Sequence, residues 1–168
     1  MKLHTKQLTL AALTAAAYAV LSHFGSIFGI TYGPIQCRFS EALCVLPFFL
    51  PETAWGLGVG CLIANLLSPY GVLDIVVGSA ATLLAALLTA RCQKKWLAPL
   101  PPVIANTVLI GLVLAYEQAG TSAAFWPTYA FNALTVGLGE AVACYGLGGL
   151  LLWRLDKSNA LQHYLQNR

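Results

Sequence analysis

Between Lys6 and Arg38 the chain reads QLTLAALTAAAYAVLSHFGSIFGITYGPIQC (residues 7–37), a run without a single Asp, Glu, Lys or Arg. A helix needs about 20 predominantly apolar residues to cross a hydrocarbon core, and Leu8 to Ile30 alone exceed that length. Lys2 and Lys6 stand ahead of the run as they would ahead of a signal peptide. It is too long for an h-region, however, and further apolar runs follow it. Uncharged intervals recur between Glu52 and Asp74, between Lys95 and Glu117, and between Glu117 and Glu140. Composition agrees: 58% hydrophobic and 9% charged residues leave too little polar surface to cover a soluble globule of 168 residues. The runs lack the strict alternation of a barrel strand, and backbone amides in lipid must then be satisfied within helices. The chain reads as an all-α integral membrane protein.

Turn signals divide it into six spans forming one membrane domain over residues 1–168. The helices are expected at about 5–30, 39–50, 53–67, 72–90, 101–116 and 127–153. The second is short and contains Pro47, so it reads as tilted, kinked or packed within the bundle. Six crossings put both termini on one side, and basic residues mark the cytoplasmic side. Lys2, Lys6, Arg91, Lys94, Lys95, Arg154, Lys157 and Arg168 then fall inside, and Arg38 falls outside. Merging the second and third helices into one crossing would place the basic carboxyl-terminal tail outside, so six is the better count. Trp96, Trp126 and Trp153 come out at the interfaces, where indoles prefer to sit.

Several functions find no support. The five cysteines form no CxxC pair and none lies beside a histidine at metal-ligand spacing, so they read as small packing residues and no metal site is expected. A net charge of +3, explained by helix ends, gives no basis for nucleic-acid binding. HExxH, GxSxG and GxxxxGK are absent, so no enzyme is expected and any use of ATP would need a partner. His23 reads as a satisfied core histidine.

The polar residues that remain carry the functional reading. Arg38, Glu41, Asp74 and Glu117 fall in one layer near the outer helix ends, and Arg38 and Glu41 are three residues apart, close enough to pair on one helix face. Glu140 is the sharpest signal. A rise of ~1.5 Å per residue carries it some 20 Å from the start of its helix, toward mid-membrane, where an acidic side chain costs about 2.5 to 3.5 kcal/mol unless a partner or wet cavity offsets it. The nearest base on that helix is Arg154, so Glu140 must face a cavity, a ligand or Arg38. Asn65, Asn106 and Asn132 add amides in the same helices, as ligand contacts or as helix-to-helix glue. Tyr32, Tyr70, Tyr116, Trp126 and Tyr129 cluster at the outer side, either as an aromatic belt or as flat walls for a planar heterocycle. Ala11, Ala15 and Ala19, with Ala12 and Ala16 beside them, form a small-residue stripe on the first helix, and Gly56 and Gly60 another on the third. Such stripes let helices approach closely, within the bundle or against another protein.

Four stretches resemble a known family: YGPIQCRFSEALCVLPFF at 32–49, GCLIANLLSPYGVLDIVVGSAATLLAAL at 60–87, LPPVIANTVLIG at 100–111 and VGLGEAVACYGLG at 136–148. They are similar to the queuosine-precursor transporter (QueT) family, substrate-binding S components of energy-coupling factor (ECF) transporters. The resemblance implies an S component in a bacterial cell membrane that captures a 7-deazaguanine from outside: a queuosine precursor, queuine or the nucleoside. It implies partnership with a transmembrane coupling protein and two cytoplasmic ATPases, which use ATP while this chain holds no cofactor. It also implies docking through an AxxxA pattern on the first helix, matched by Ala11, Ala15 and Ala19. The candidate substrate contacts are Arg38, Glu41, Asn65, Asp74, Tyr116, Glu117, Trp126, Asn132 and Glu140. Another planar vitamin as cargo, or a membrane scaffold or sensor without transport, are the alternatives.

Overall fold

The computed structural model describes residues 5–29, 38–66 and 71–166. Every regular element among them is helical. Helix α1 is Thr5–Ile27. A 3-10 helix follows over Phe39–Phe48, and then α2 over Thr53–Asn65. Helix α3, Gly71–Thr89, is continuous but opens into a π-helical turn at Asp74–Gly78. A 3-10 turn at Lys95–Leu97 leads into α4, Leu100–Ala119. Helix α5, Phe125–Asp156, carries a second π-helical stretch at Val142–Leu147. A short α6, Asn159–Gln166, closes the chain.

Four helical stretches are long and apolar enough to cross a membrane: Thr5–Ile27, Gly71–Thr89, Lys95–Ala119 and Phe125–Asp156. Phe39–Phe48 and Thr53–Asn65 are shorter. The tighter 3-10 winding rises ~2 Å per residue, so the ten residues of the first reach about 20 Å. The 13 residues of α2 reach a similar ~20 Å at the α-helical rise. Both therefore fall short of a hydrocarbon core of about 30 Å.

Helix ends moved where polar residues had looked like loops. Helix α4 continues through Tyr116, Glu117 and Gln118, because such residues tolerate a helix at an interface. It stops at Gly120, whose φ of 56° is open to glycine without a side-chain penalty. Helix α6 was not expected: it is short and mostly polar, with Leu161 and Tyr164 turned inward and Leu161 buried.

The molecule inverts the usual sorting of a soluble protein. Leu13, Val20, Val76, Phe131, Leu134 and Leu150 point outward, while Arg38, Glu41, Asn65, Asp74, Asn106 and Glu140 are buried. Lipid accepts the first set and excludes the second, which is the arrangement a bilayer demands. The tightest seam joins α1 to α2. A Cβ on Gly56 would lie 2.2 Å from the Ala11 carbonyl oxygen, and one on Gly60 would lie 2.7 Å from that of Ala15. Small residues on both helices allow this approach. Ala11 and Ala15 are thus buried inside the chain and Ala19 is half-buried, whereas Ala12 and Ala16 face outward. Of the stripe Ala11, Ala15, Ala19, expected as a docking face, Ala11 and Ala15 pack against α2 in this structure. His23, expected in the core, is half-buried.

Candidate functional site

The polar residues of the interior converge from six segments. Arg38 precedes the 3-10 helix in extended backbone, with φ −91° and ψ 114°, which turns its side chain across the bundle. Its Nη1 donates to Asn65 Oδ1 at 3.3 Å, and its Nη2 lies 3.7 Å from Asp74 Oδ2. The π-helical turn at Asp74–Gly78 disturbs the backbone ladder of α3, and neighbouring side chains bond its carbonyls. Asn65 Nδ2 donates to the Asp74 carbonyl at 3.1 Å, and the Ser79 hydroxyl to that of Ile75 at 2.6 Å. Asn65 is thereby held at both ends of its amide, between the guanidinium and the distorted helix.

One step deeper, the Glu41 carboxylate accepts from the Tyr18 hydroxyl on one oxygen and from the Cys44 thiol, at 2.9 Å, on the other. Glu140 repeats the pattern. Asn106 Nδ2 donates to its Oε1 at 2.9 Å, and the Cys144 thiol approaches its Oε2 at 3.6 Å. Cys144 Sγ also lies 3.5 Å from the Glu41 carbonyl oxygen, which ties the two acidic sites together. Each carboxylate thus has one strong neutral donor and one thiol, a weak donor that a better one can displace. Tyr18, Cys44 and Cys61 pack in one buried cluster, and Asn65 and Thr82 each donate to Cys61 Sγ, so the outer and deeper groups form one continuous polar interior. Both π-helical stretches border it, and such distortions recur at functional sites.

The remaining predicted contacts lie apart. Asn132 is buried, but its Nδ2 donates to Gln118 Oε1 at 3.0 Å, at the Gly120 end of the α4–α5 hairpin. Tyr116, Glu117 and Trp126 are exposed there, with the Trp126 ring edge-on to Phe125 and Tyr129. Tyr32 and Tyr70, expected in an aromatic wall, lie outside the described residues, as does Cys37.

These features match a known family. Its sequence profile, that of the QueT transporter, aligns with residues 8–157, which runs from the first turns of α1 to the end of α5 and takes in all the polar residues above. The chain belongs to the QueT transporter family. A relative from Lactococcus lactis subsp. cremoris (strain MG1363), named queuosine precursor transporter QueT, is 36% identical over 99 residues. That match covers 56% of this chain and 58% of the relative, so the two correspond over little more than half their lengths. No solved structure matches the fold.

Sequence reasoning did not single out Tyr18, Cys44 or Cys144, and it weighed Asn106 as a ligand contact or as glue between helices. It is glue, joining α4 to α5, but it does so on the Glu140 carboxylate. A tyrosine inside an otherwise apolar first helix was the available signal for Tyr18, since a buried phenol must find a partner. Nothing in the sequence marked the buried Cys44, Cys61 and Cys144 as more than packing. Near the carboxyl-terminal helix the structure adds Glu52, buried at the start of α2, whose Oε1 accepts from the Tyr164 hydroxyl at 2.9 Å and ties α6 to the bundle. There too Lys95 Nζ pairs with Asp156 Oδ1 at 2.6 Å across exposed surface.

Proposed function

We propose that this chain is the substrate-capturing S component of an ATP-driven ECF importer for a queuosine precursor or related 7-deazaguanine. The observation that carries the reading is the pair of buried carboxylates, Glu41 and Glu140, each with one oxygen held, among the described residues, only by a thiol. A guanine-like edge presents an N–H and an amino group side by side, and a carboxylate accepts both at once. Such a ligand would displace the Cys44 and Cys144 thiols and leave Tyr18 and Asn106 holding the carboxylates in place. Arg38, Asn65 and Asp74 would close the outer side of the pocket. Tyr116, Glu117, Trp126 and Asn132 would serve as an outer vestibule on the α4–α5 hairpin.

On this reading all six apolar helices cross or enter the bilayer as one domain, with the amino terminus, the Arg91–Lys95 loop and the carboxyl terminus in the cytoplasm. The membrane is a bacterial cell membrane. A coupling protein and two ATPases supply ATP hydrolysis, and this chain holds no cofactor of its own. Because Ala11 and Ala15 are covered by α2, the coupling protein would meet the outward face of α1, where Ala12 and Ala16 keep the AxxxA spacing.

Calorimetric titration of the detergent-purified chain with a 7-deazaguanine base, and with the analogue lacking its exocyclic amine, tests the ligand. Loss of one hydrogen bond to a charged partner, about 1.5 to 3 kcal/mol, predicts roughly ten- to hundredfold weaker binding of the analogue. Equal affinity for both would refute the carboxylate contact. Uptake that does not depend on ATP after co-expression with coupling and ATPase subunits would refute the importer.

A further inference from the structure

The inner half of the seam between α3 and α4 carries an apolar groove of about 490 Å³. Leu84, Leu88 and Cys92 line one wall, and Leu100, Ile104 and Val108 the other. Both sets are spaced i, i+4, i+8: Leu100, Ile104 and Val108 lie along one face of α4, while Leu84 and Leu88 lie on α3 and Cys92 just beyond its end at Thr89. Eight residues of helix span ~12 Å, close to half of a hydrocarbon core of about 30 Å. The groove therefore has the length of one leaflet's acyl chain. At Cys92 and Leu100 its lining flanks the basic loop.

That loop is asymmetrically neutralised. Lys95 is held by Asp156 at 2.6 Å. Arg91, next to the groove-lining Cys92, and Lys94 are exposed, and among the described residues neither has an ion pair. Trp96 is also exposed at this level, where an indole marks the headgroup depth. An apolar groove of one-leaflet length, flanked by a loop with two cations that lack an ion pair among the described residues, is complementary to a lipid with an acyl chain and a net negative headgroup. A zwitterionic lipid fills the channel without answering the charge. A soluble anion answers the charge without filling the channel.

We propose that this groove is a binding site for an anionic phospholipid of the cytoplasmic leaflet, its acyl chain between α3 and α4 and its phosphate at Arg91 and Lys94. Arg91 can engage two phosphate oxygens at once through its planar guanidinium, and Lys94 adds a point charge. The leaflet assignment rests on the orientation given under the proposed function. The binding chemistry does not, so a reversed topology would appear in labelling experiments and leave the lipid preference intact.

Native mass spectrometry of the full chain, purified in detergent and exposed to equal amounts of phosphatidylglycerol and phosphatidylcholine, reads the preference directly. Each cation near the headgroup is worth roughly fivefold in affinity, so phosphatidylglycerol should be retained about 25-fold over phosphatidylcholine. Arg91→Gln with Lys94→Gln should abolish the preference and leave residual retention of both lipids. Arg154→Gln with Lys157→Gln, which removes as much charge from the same side but away from the groove, should preserve it. Ala105→Phe, on the groove wall, should lower retention of both lipids. Equal retention by the unmodified chain would overturn the proposal. So would loss of preference in the Arg154/Lys157 pair, which would reduce the effect to general surface charge, or full retention in Ala105→Phe.

Discussion

Replacing Glu140 by Gln separates a ligand contact from a structural one, because the amide keeps what the fold needs and removes what the ligand needs. In the folded chain Glu140 Oε1 accepts from Asn106 Nδ2 at 2.9 Å, and a glutamine oxygen can accept the same bond. Its NH2 group would face Cys144 Sγ, now 3.6 Å from Oε2, and sulfur is a tolerable weak acceptor. The change trades a charge-assisted bond of about 1.5 to 3 kcal/mol for a neutral one of about 0.5 to 1.5 kcal/mol, and relieves the burial of a charge. Stability should therefore change by less than about 1 kcal/mol. A ligand that gives two donors to the carboxylate instead meets one acceptor and one donor, and should bind roughly ten- to hundredfold more weakly. Calorimetric titration with a 7-deazaguanine base, paired with thermal unfolding of the same detergent-purified samples, measures both quantities. Asn106→Leu is the reciprocal control: it leaves the carboxylate without its strong donor and should cost about 1 to 3 kcal/mol of stability. Unchanged affinity in Glu140→Gln together with a lowered unfolding temperature would refute the reasoning and make Glu140 a packing residue.

Three further outcomes follow from the packing. Gly56→Ala and Gly60→Ala should each destabilise the fold by about 1 to 3 kcal/mol, since the new methyl meets backbone atoms that cannot rotate away. Gly149→Ala, where nothing lies within 4 Å, should be neutral in the same thermal assay, and equal effects at all three sites would count against the α1–α2 seam. Ala16→Leu should weaken capture by the coupling subunit in a pull-down without lowering ligand affinity. Ala15→Leu, buried against Gly60, should instead unfold the chain; the reverse pattern would return the docking face to Ala15. An impermeant maleimide should label Cys92 from the cytoplasmic side only. Labelling should quicken as pH rises, because partial burial pushes the Cys92 thiol above its ordinary pKa and the thiolate is the reactive form. Labelling from outside would reverse the orientation.

The membrane class and the approximate helix positions were legible in the sequence because lipid imposes a length requirement that any charge-free run either meets or fails. The place of Glu140 midway along α5 was legible for a similar reason: the helical rise is fixed, so distance from a helix start converts into position along the helix, and the structure buries the residue there. Boundaries slipped where the rule is silent. Glu117 and Gln118 continue α4, since polarity at an interface ends the hydrocarbon segment without ending the hydrogen-bond ladder.

What each polar side chain faces was decided only by the tertiary structure. In water a helix buries its apolar stripe, so periodicity reports its rotation about its own axis. In lipid both faces are apolar and that signal is lost. Ala11 and Ala12 are equivalent on any hydropathy scale, yet one packs on Gly56 and the other faces outward. The partners of the acidic residues were equally hidden: Asn106 reaches Glu140 from 34 residues away, and Tyr18 reaches Glu41 from 23. Each carboxylate announced that it needed a donor, because an unpaired charge is intolerable in hydrocarbon. Which donor answered depended on how the helices were turned, and that is a property of the packed bundle alone.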